Sequence, residues 1–373
     1  MSLCQKCLMK IISISTDRKI FEEGSNVRQR MCEYGQLCDE LHIIVFTTHT
    51  DIHTSEQIAD NVWVYATNSI NKLFAVFDAY VLAKELIRKK KGDMITTQDP
   101  FETGLIGLLV KRKTGIPLHI QVHTDIYSPY FSKGNIRNYI RMKVAPYILK
   151  KADKIRAVSN RIKKSLIEKL GITPKKIVIL PIYVPKNKSV PVHKDDGETL
   201  LTISRLAKEK NLFFCIDVIA SVVKQKPQTK LVIVGDGPYR QALEKYAERK
   251  KLENNVFFEG WQSDLEHYFQ HATAYISTSL YEGYGMTLIE ASQHRVPIIS
   301  SDVGIMQDVL IHNESAFVCS VNDKECFVQS ITALLDNSVR ARELAMQAYE
   351  ATSKHLPENK NAYLEKYKQT LEI

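Results

Sequence analysis

Residues 274–291 read AYISTSLYEGYGMTLIEA, and the order of residue types in this stretch predicts a strand, a loop and a helix. The first part, Ala274 to Ser279, is a short apolar-rich run of the kind that forms a buried strand, and Leu288 to Ala291 begins an apolar-periodic helix. Strands that alternate with helices in this way are typical of α/β proteins with doubly wound sheets.

Two carboxylates, Glu282 and Glu290, flank the loop of this stretch. Gly283 and Gly285 can take backbone angles that other residues avoid and can let a ligand approach the main chain. The free N–H groups of the first helical turn favour an anion at the same place. We interpret the junction as a site where amides hold a phosphate and each carboxylate holds a sugar hydroxyl. A glutamate that only compensates the helix dipole is the alternative.

The same alternation of strands and helices extends over the chain. Many strands, such as Leu231–Val234, are apolar throughout, as expected for parallel strands covered on both faces. We therefore expect two Rossmann-like doubly wound α/β domains that face a central cleft, with the carboxyl ends of the strands lining the cleft. The predicted strands are 9–15, 41–48, 62–67, 94–98, 118–123, 155–159 and 177–181 in the first half, and 200–204, 230–235, 256–260, 274–279, 296–300 and 316–321 in the second.

Residues 186–198 are polar, contain proline and lack periodicity, which predicts a linker between the domains. We expect a first domain over 1–185 and a second over 199–354. The tail, 355–373, should form a helix over 359–371 that crosses back to the first domain, because it carries an apolar stripe at helical spacing. The residues of this stripe are Tyr363, Leu364, Tyr367 and Leu371.

The bulk composition is that of a globular protein, with 373 residues of which 44% are hydrophobic and 25% charged. No apolar run approaches the ~20 residues that span a bilayer, and the N-terminus lacks the apolar core of a signal peptide. We therefore expect a cytoplasmic protein. The seven cysteines form no regular framework, and the pair Cys4 and Cys7 has no second pair at zinc-ligand spacing. Free thiols and no metal site are expected.

The net charge of +9 is unevenly spread along the chain. Residues 1–198 hold 32 Lys and Arg against 20 Asp and Glu, whereas residues 199–355 hold 16 against 19. The excess concentrates in 130–176, which favours contact with an anionic membrane surface at the inner face of the cell membrane or with a diphosphate-bearing acceptor. A well-solvated helical face is the alternative. No nucleic acid partner is expected, because no recognition motif or aromatic interleaving is present.

A second group of charged residues follows the predicted strand 200–204. Arg205 lies where this strand leaves the sheet, and Lys210 lies at the start of the next helix. Two fixed cations at such a turn suit a diphosphate, since arginine holds its oxygens in a fork and lysine adds a compact charge. A solvated loop is the alternative.

In order and spacing, Arg205, Lys210 and the junction from Glu282 to Glu290 resemble the family 4 glycosyltransferases of the GT-B fold. The resemblance extends over almost the whole chain and is strongest across 199–335. It implies a nucleotide-sugar donor and a saccharide or lipid-linked acceptor. Shorter matches to the family lie at Val234–Pro238, Phe258–Trp261 and Pro297–Asp302.

The resemblance also implies transfer of a hexose-type sugar from an NDP-sugar with retention of the anomeric configuration, without an obligatory metal or other cofactor. In that scheme Arg205 and Lys210 neutralise the donor diphosphate as it leaves. Glu282 contacts the transferred sugar near the reacting carbon, and Glu290 accepts hydrogen bonds from the ribose hydroxyls. The remaining donor contacts fall on the loop and first helical turn: Gly283, Tyr284, Gly285, Met286 and Thr287.

Further positions follow or depart from the family pattern. His123, at the end of the strand 118–123, is implied to touch the donor sugar and the acceptor. Gly24 corresponds to a glycine loop that faces phosphate and acceptor, although one of the usual two glycines is absent, and Trp261 lies near the place of the base. Arg295 departs from the pattern, because a glycine suited to a left-handed helix C-cap commonly stands there.

Other functions stay open as alternatives. A nucleotide-sugar-binding homologue without activity would keep the same residues, so only turnover distinguishes it. A GT-B epimerase would need acid and base side chains on the sugar ring, and no such pattern is visible. A dinucleotide-dependent dehydrogenase is disfavoured, because Gly235-Asp236-Gly237 lacks the third glycine of that motif and Arg240 stands in its place.

Overall fold

The computed structural model describes residues 7–50, 53–133, 135–187 and 197–372. Most of the expected linker, 186–198, lies outside these ranges, and so does Cys4. Within them the chain forms two largely parallel sheets, one from each half of the sequence. The expected fold class of two Rossmann-like doubly wound domains is confirmed.

The first domain is built around an eight-stranded sheet. In chain order it contains β1 (Cys7–Ser15), α1 (Asn26–Gly35), β2 (Cys38–Val45), β3 (Glu56–Ala59), β4 (Val62–Ala66), α2 (Phe74–Lys90), β5 (Met94–Thr97), α3 (Glu102–Thr114), β6 (Leu118–Val122), α4 (Ile136–Lys151), β7 (Lys154–Ala157), α5 (Asn160–Leu170) and β8 (Ile177–Ile179). The spatial order is β3-β4-β2-β1-β5-β6-β7-β8, and only the edge pair of β3 and β4 is antiparallel.

The second domain is built around a six-stranded parallel sheet. In chain order it contains β9 (Thr199–Ile203), α6 (Leu212–Val222), β10 (Lys230–Val234), α7 (Arg240–Arg249), β11 (Val256–Gly260), α8 (Glu266–Gln270), β12 (Ala274–Ser277), α9 (Met286–Gln293), β13 (Ile298–Ser301), β14 (Phe317–Cys319), α10 (Lys324–Asp336) and α11 (Ser338–His355), and α12 (Lys360–Leu371) follows. The spatial order is β11-β10-β9-β12-β13-β14.

Every predicted strand corresponds to an observed one, with ends that differ by a few residues. The strand β3 was not predicted from the sequence. It is short and has no buried residue, and it pairs only with β4 at the edge of the sheet. Without a buried face there is no apolar alternation to identify such a strand.

Alternate residues of β1 face opposite helical layers. Ile12 and Ile14 are fully buried in the core that includes Ala79 of α2. Ile11 lies instead in a separate core with Tyr367 of α12. Because successive strand residues point to opposite faces of a sheet, α2 covers one face and α12 covers the other. The C-terminal helix therefore packs on the first domain.

The expectation that all cysteines are free thiols is wrong for one pair. Cys319 and Cys326 form a disulfide, with their Cα atoms 5.7 Å apart. Cys319 is the last residue of β14 and Cys326 lies in the first turn of α10, so the short connection between these elements brings the two together. Among the described residues, the free cysteines are Cys32, Cys38 and Cys215.

Two kinds of feature are absent from the described ranges. None of their helices combines the length and apolar character that crossing a bilayer demands. Nor do three or more of their His, Cys, Asp or Glu side chains gather in a way that could hold a metal ion.

Candidate active site

The loop between β12 and α9 forms the junction predicted from the sequence. Gly285 precedes the helix with a φ of 93°, a left-handed conformation that favours glycine. No side chain caps α9, so the amides of Met286 and Thr287 in its first turn are left for a ligand or solvent to satisfy. The backbone therefore offers hydrogen-bond donors and the positive end of a helix dipole at one point.

Lys210 and Glu282 form an ion pair at the carboxyl edge of the second sheet. The Nζ atom of Lys210 lies 2.5 Å from Oε1 of Glu282, and the same oxygen accepts a hydrogen bond of 2.8 Å from Ser279. The two loops that carry this pair are also joined through the backbone, because the Leu280 amide donates to the carbonyl of Glu209 at 2.8 Å. The fold thus unites two residues that are 72 positions apart.

Arg205 lies at the same edge and is more exposed, with 69% of its side chain accessible. Its guanidinium pairs with Glu209 at 2.5 Å. Tyr281 lies among these charges: burial raises the pKa of its phenol, and the charges of Glu209, Arg205 and Glu282 all act on it. Arg205, Lys210 and Glu282 therefore converge on one crevice, where each cation is already paired with a neighbouring carboxylate.

Glu290 lies in α9 and is partly buried. Burial raises the pKa of its carboxyl to about 7, because desolvation disfavours the charged form. Tyr275 lies near both carboxylates of the junction. Its pKa is raised mainly by burial, and the charges of Glu282 and Glu290 raise it further. Both carboxylates thus lie near enough to Tyr275 to affect its phenol.

Gly283 lies at one of the places where the two domains touch. A Cβ atom on this residue would lie 1.9 Å from the carbonyl oxygen of His123 in the first domain. Gly283 does not have a positive φ, so the expectation that it is needed for its backbone angles is wrong. It is needed because the first domain's backbone approaches it. On the other side, the amide of Ile305 donates to the carbonyl of Tyr284 at 3.1 Å.

His123 follows β6 and is partly exposed, although its Nδ1 atom is buried without a hydrogen-bond partner among the described residues. The pKa of its imidazole is lowered to about 3 by burial and by the positive charges of Arg156 and Arg30. The ring is therefore neutral at physiological pH. It can offer a hydrogen-bond donor and an acceptor, but no positive charge.

The remaining sequence-predicted positions lie away from this crevice or take other roles. Gly24 has a φ of 75° and is exposed, two residues before α1. A Cβ atom added to this residue would meet no other atom within 4 Å. Trp261 follows β11 and is 68% exposed. Arg295, where the family commonly has glycine, accepts the left-handed conformation with a φ of 53°, and its guanidinium lies 4.0 Å from the ring centroid of Tyr349.

The glycines of Gly235-Asp236-Gly237 have a packing role. A Cβ on Gly235 would lie 2.0 Å from the carbonyl oxygen of Ser204, and one on Gly237 would lie 2.6 Å from that of Leu206. These glycines let the chain leaving β10 pass against the chain leaving β9, which carries Arg205. This close backbone contact accounts for the glycines without a dinucleotide.

The first domain contains a cavity of about 450 Å³ between its sheet and the helices α1 and α12. It begins at His123 and Thr124, beside the contact with Gly283, and extends to Tyr367 and Leu371 of α12. A polar lining here is unusual, because parallel strands covered by helices normally present apolar side chains. The polar strand residues that line it are Ser13, Ser15, Thr96, Gln98, Gln121 and Arg156.

This cavity was not predicted from the sequence, although a signal for it exists. Thr96 and Gln98 at the end of one predicted strand, and Gln121 and His123 at the end of the next, are polar residues two positions apart. Because residues i and i+2 of a strand share a face, this pattern indicates that one face of the sheet is polar. A strand prediction that rests on apolar runs does not reveal this pattern.

Comparison with known proteins places the chain in a family. The family model described as "Glycosyl transferases group 1" matches residues 184–355, and the one described as "Glycosyltransferase Family 4" matches residues 36–186. Together these models span residues 36–355, which include Arg205, Lys210, Glu282 and His123. The chain belongs to the family 4 (group 1) glycosyltransferases.

Two curated relatives and one solved structure illustrate the similarity. The chain is 28% identical over 239 residues to the alpha-monoglucosyldiacylglycerol synthase of Streptococcus pneumoniae strain R6, covering 58% of this chain and 54% of that protein. It is 24% identical over 272 residues to the UDP-Gal:alpha-D-GlcNAc-diphosphoundecaprenol alpha-1,3-galactosyltransferase of Escherichia coli, covering 68% and 69%. The chain thus spans about half the length of the pneumococcal relative.

The sucrose-phosphate synthase of Thermosynechococcus elongatus shares the fold with a TM-score of 0.81. The alignment covers 97% of this chain and 98% of that one, at 19% sequence identity. The fold is therefore that of the GT-B glycosyltransferases across both domains.

Replacing Gly283 with alanine should force the domains apart, because the new Cβ would overlap the carbonyl of His123. We expect a larger radius of gyration by small-angle X-ray scattering and little change in the thermal unfolding midpoint. Gly171→Ala is the matched control, since its Cβ would meet no atom within 4 Å but its φ is 66°. That variant should lose about 1 kcal/mol of stability and keep its dimensions. Unchanged dimensions for Gly283→Ala would contradict the assigned contact.

Proposed function

We propose that this protein transfers a hexose-type sugar from a nucleotide diphosphate donor to a glycan or lipid-linked acceptor, with retention of the anomeric configuration. The observation that carries the proposal is the convergence of Arg205, Lys210 and Glu282 beside the uncapped first turn of α9, in the cleft between two domains. The names of the two curated relatives support the class of donor and acceptor, since one is named for UDP-Gal and a diphosphoundecaprenol-linked sugar and the other for a glucosylated diacylglycerol.

The chemistry of the donor explains why this arrangement suits it. When the bond between the sugar and the diphosphate breaks, negative charge develops on the departing phosphate oxygens. Arg205, Lys210 and the amides of Met286 and Thr287 would stabilise that charge from fixed positions, which is the most effective form of electrostatic catalysis. Because these groups supply the positive charge, we propose that no metal ion is obligatory.

The pairing of both cations adds a condition for donor binding. Lys210 holds Glu282 at 2.5 Å and Arg205 holds Glu209 at the same distance. A diphosphate that enters the crevice must compete with these carboxylates for the cations. Glu282 released from Lys210 would then be free to accept a hydrogen bond from a hydroxyl of the transferred sugar. Donor binding and the positioning of Glu282 are coupled in this way.

The other implied roles follow the same geometry. Glu290, farther into the second domain, would accept from the ribose hydroxyls. The neutral imidazole of His123 would donate to or accept from the transferred sugar and the acceptor hydroxyl at the junction of the domains. Closure of the domains at Gly283 would exclude water, which would otherwise hydrolyse the donor.

Replacing Glu282 with alanine should abolish transfer and leave nucleotide binding intact or stronger, because Lys210 would lose its competing partner. We expect turnover to fall at least about 100-fold, as when a single transition-state contact is removed. Binding of UDP, GDP and ADP would be measured by calorimetry, and transfer by release of the preferred nucleotide from its sugar conjugates, with and without EDTA.

The control for this experiment is Glu253→Ala, which removes an exposed carboxylate of the same domain. It should change neither binding nor turnover. Undiminished turnover of Glu282→Ala would refute the role of Glu282. If the wild-type protein binds none of the three nucleotides, the proposed function is refuted. If it binds one of them but releases none of it from its sugar conjugates, a non-catalytic homologue or an epimerase is favoured instead.

The raised pKa of Glu290 makes nucleotide affinity depend on pH. With a pKa of about 7, the carboxyl is mostly protonated at pH 6 and mostly ionised at pH 8. Ribose hydroxyls donate most strongly to the ionised form, so binding should be about tenfold weaker at pH 6 than at pH 8. Calorimetry at both values measures this, and Glu290→Gln separates it from titration of the nucleotide phosphates. Equal pH dependence in the two proteins would contradict the role of Glu290.

A membrane-facing surface is the other part of the proposal. The helices α2, α3 and α4 lie side by side on one face of the first sheet, and their outer side exposes large apolar residues, with Leu73 84% and Ile136 74% exposed. Contiguous exposed apolar residues mark interaction sites. The members of this α2–α4 surface are Ile70, Leu73, Phe74, Phe77, Val81, Leu109, Ile136, Tyr139, Ile140, Val144 and Tyr147.

Basic side chains lie beside the apolar ones on the α2–α4 surface. This combination favours an anionic bilayer as the binding partner of the surface. Exposed Lys72, Arg112 and Lys143 belong to the same helices or the turn before them. Two arginines of the segment 130–176 do not contribute to this surface, because Arg156 is buried and Arg161 of α5 pairs with Asp302 in the second domain. We propose that this surface rests on an acidic membrane that holds the acceptor.

Liposome co-sedimentation tests the α2–α4 surface. The protein should bind vesicles that contain phosphatidylglycerol, should bind phosphatidylcholine vesicles much less, and should be released by salt. Replacing Phe74, Phe77, Ile136 and Ile140 with serine should weaken binding at least about tenfold, since each buried CH₂ contributes roughly 0.8 kcal/mol. Serine at Val339 and Met346, exposed apolar residues of the second domain, is the matched control. Equal, salt-insensitive binding to both vesicles would remove this part of the proposal.

A further inference from the structure

The polar cavity of the first domain is lined by two arginines, Arg30 and Arg156, to which the proposed donor chemistry assigns no role. Its deep wall carries Arg156 of β7, which is 2% exposed. The guanidinium donates to neutral groups, namely the carbonyls of Leu180 and Pro181, the amide oxygen of Gln121 at 2.8 Å and the hydroxyl of Tyr363 at 2.8 Å. It also lies 5.0 Å from the ring centroid of Tyr367. No described carboxylate forms an ion pair with it. A buried charge without a counter-ion is costly.

The facing wall carries a second arginine, Arg30 of α1. No hydrogen bond or ion pair of this side chain occurs among the described residues. Its neighbour on the same helix, Arg28, behaves differently and pairs with Glu56 at 2.7 Å outside the cavity. The charges of Arg30 and Arg156 both act on His123 and on Tyr367, which lie near the two ends of the cavity. The two guanidiniums therefore share this space.

The other charged groups along the cavity do not compensate for the two arginines. Arg141 is neutralised by Glu102, with contacts of 2.7 to 3.2 Å. Asp99 is engaged by the amide of Phe101 at 2.7 Å, and burial raises the pKa of its carboxyl. Asp17 caps the short helical turn that precedes α1. Neither aspartate forms an ion pair with Arg30 or Arg156, so no carboxylate of the described residues is paired with either arginine.

The position of the cavity connects these charges to the reaction centre. Gln121 of β6, which holds Arg156, lies two residues before His123, which directly follows this strand, a distance of roughly 7 Å along extended backbone. His123 in turn touches Gly283 through its backbone and has a buried Nδ1 without a partner. A ligand with an anionic group at Arg156 and a hydroxyl at His123 would therefore satisfy both unpaired features. The spacing corresponds to about one sugar ring or glycerol unit.

We propose that the acceptor carries a phosphate group, and that Arg30 and Arg156 bind this phosphate inside the first domain while the reacting hydroxyl lies at His123. Phosphate is favoured because guanidinium groups bind its oxygens in a bidentate manner. The proposal rests on the proposed function, since it assigns the acceptor side of the same cleft. The phosphate source is either a lipid head group or a soluble polyol phosphate, and the chemistry at the arginines is the same for both.

Calorimetry on the full chain with sn-glycerol 3-phosphate and with glycerol tests this site. The phosphate ester should bind and glycerol should not. Arg30→Gln should weaken binding of the ester about 10- to 100-fold, the effect expected for losing hydrogen bonds from a charged donor, and Arg30→Lys should recover part of it. Arg28→Gln is the matched control on the same helix and should have no effect. Arg156 is left unchanged because it also holds Leu180 and Pro181 in place.

The same titrations with dihexanoylphosphatidic acid below its micellar concentration separate the two phosphate sources. Tighter binding than glycerol 3-phosphate supports a lipid acceptor, and equal or weaker binding supports a polyol phosphate. The proposal is overturned if glycerol and its phosphate bind alike, if neither binds, or if Arg30→Gln retains full affinity for the ester. UDP binding, measured in parallel, keeps this failure distinct: an intact UDP affinity with Glu282-dependent transfer leaves the proposed function standing.

Discussion

The structure depends on one close approach, in which the backbone of Gly283 meets the carbonyl oxygen of His123 with no side chain between them. A single methyl group at this point would overlap that oxygen. The contact sets the carboxyl edge of the first sheet against the strand-to-helix junction of the second. His123 of the first domain and Glu282, the neighbour of Gly283 in the second, therefore lie at the same contact.

Within that crevice the charges are balanced by pairs rather than left open. Lys210 is held by Glu282 and Arg205 by Glu209, so the crevice carries cations for a diphosphate and carboxylates that compete with it. Such pairing keeps partly buried charges from being isolated, which would cost stability. It also means that an anion that binds to Lys210 displaces Glu282 from this lysine. The helix terminus of α9, which has no capping side chain, adds donors that no internal group uses.

The excess basic residues in the first half of the sequence lie in two separate regions of the structure. Part of it lies on the outer face of α2, α3 and α4 beside exposed apolar residues. Another part points inward, where Arg30 and Arg156 face a polar cavity between the sheet and the helices α1 and α12. The net charge of the sequence does not distinguish these two regions, because it contains no information about the face of a strand or helix on which each residue lies. A membrane surface outside and a phosphate site inside are compatible proposals for one acceptor domain.

The local pattern of the sequence was sufficient for the strands, the helices and the two sheets, because apolar period and length depend on residues close in the chain. It also placed Arg205 and Glu282 just after strands, and Lys210 and Glu290 at the start of the helices that follow, at the edge where parallel sheets bind ligands. Its failures have local causes as well. The edge strand β3 has no buried face. The disulfide between Cys319 and Cys326 depends on the course of the turn that joins them, which the spacing of the two cysteines in the sequence does not reveal.

Only the tertiary structure decided which residues touch across the fold. The need for glycine at 283 comes from the other domain, and the ion pair between Lys210 and Glu282 joins loops 72 positions apart. The cavity exists because polar faces of separate strands were aligned by sheet register, as for Gln121 and Arg156, which lie opposite each other on β6 and β7. The periodicity of a segment indicates which of its faces is apolar and which is polar. It does not indicate which distant residues pack against that face, because those contacts form only in the tertiary structure.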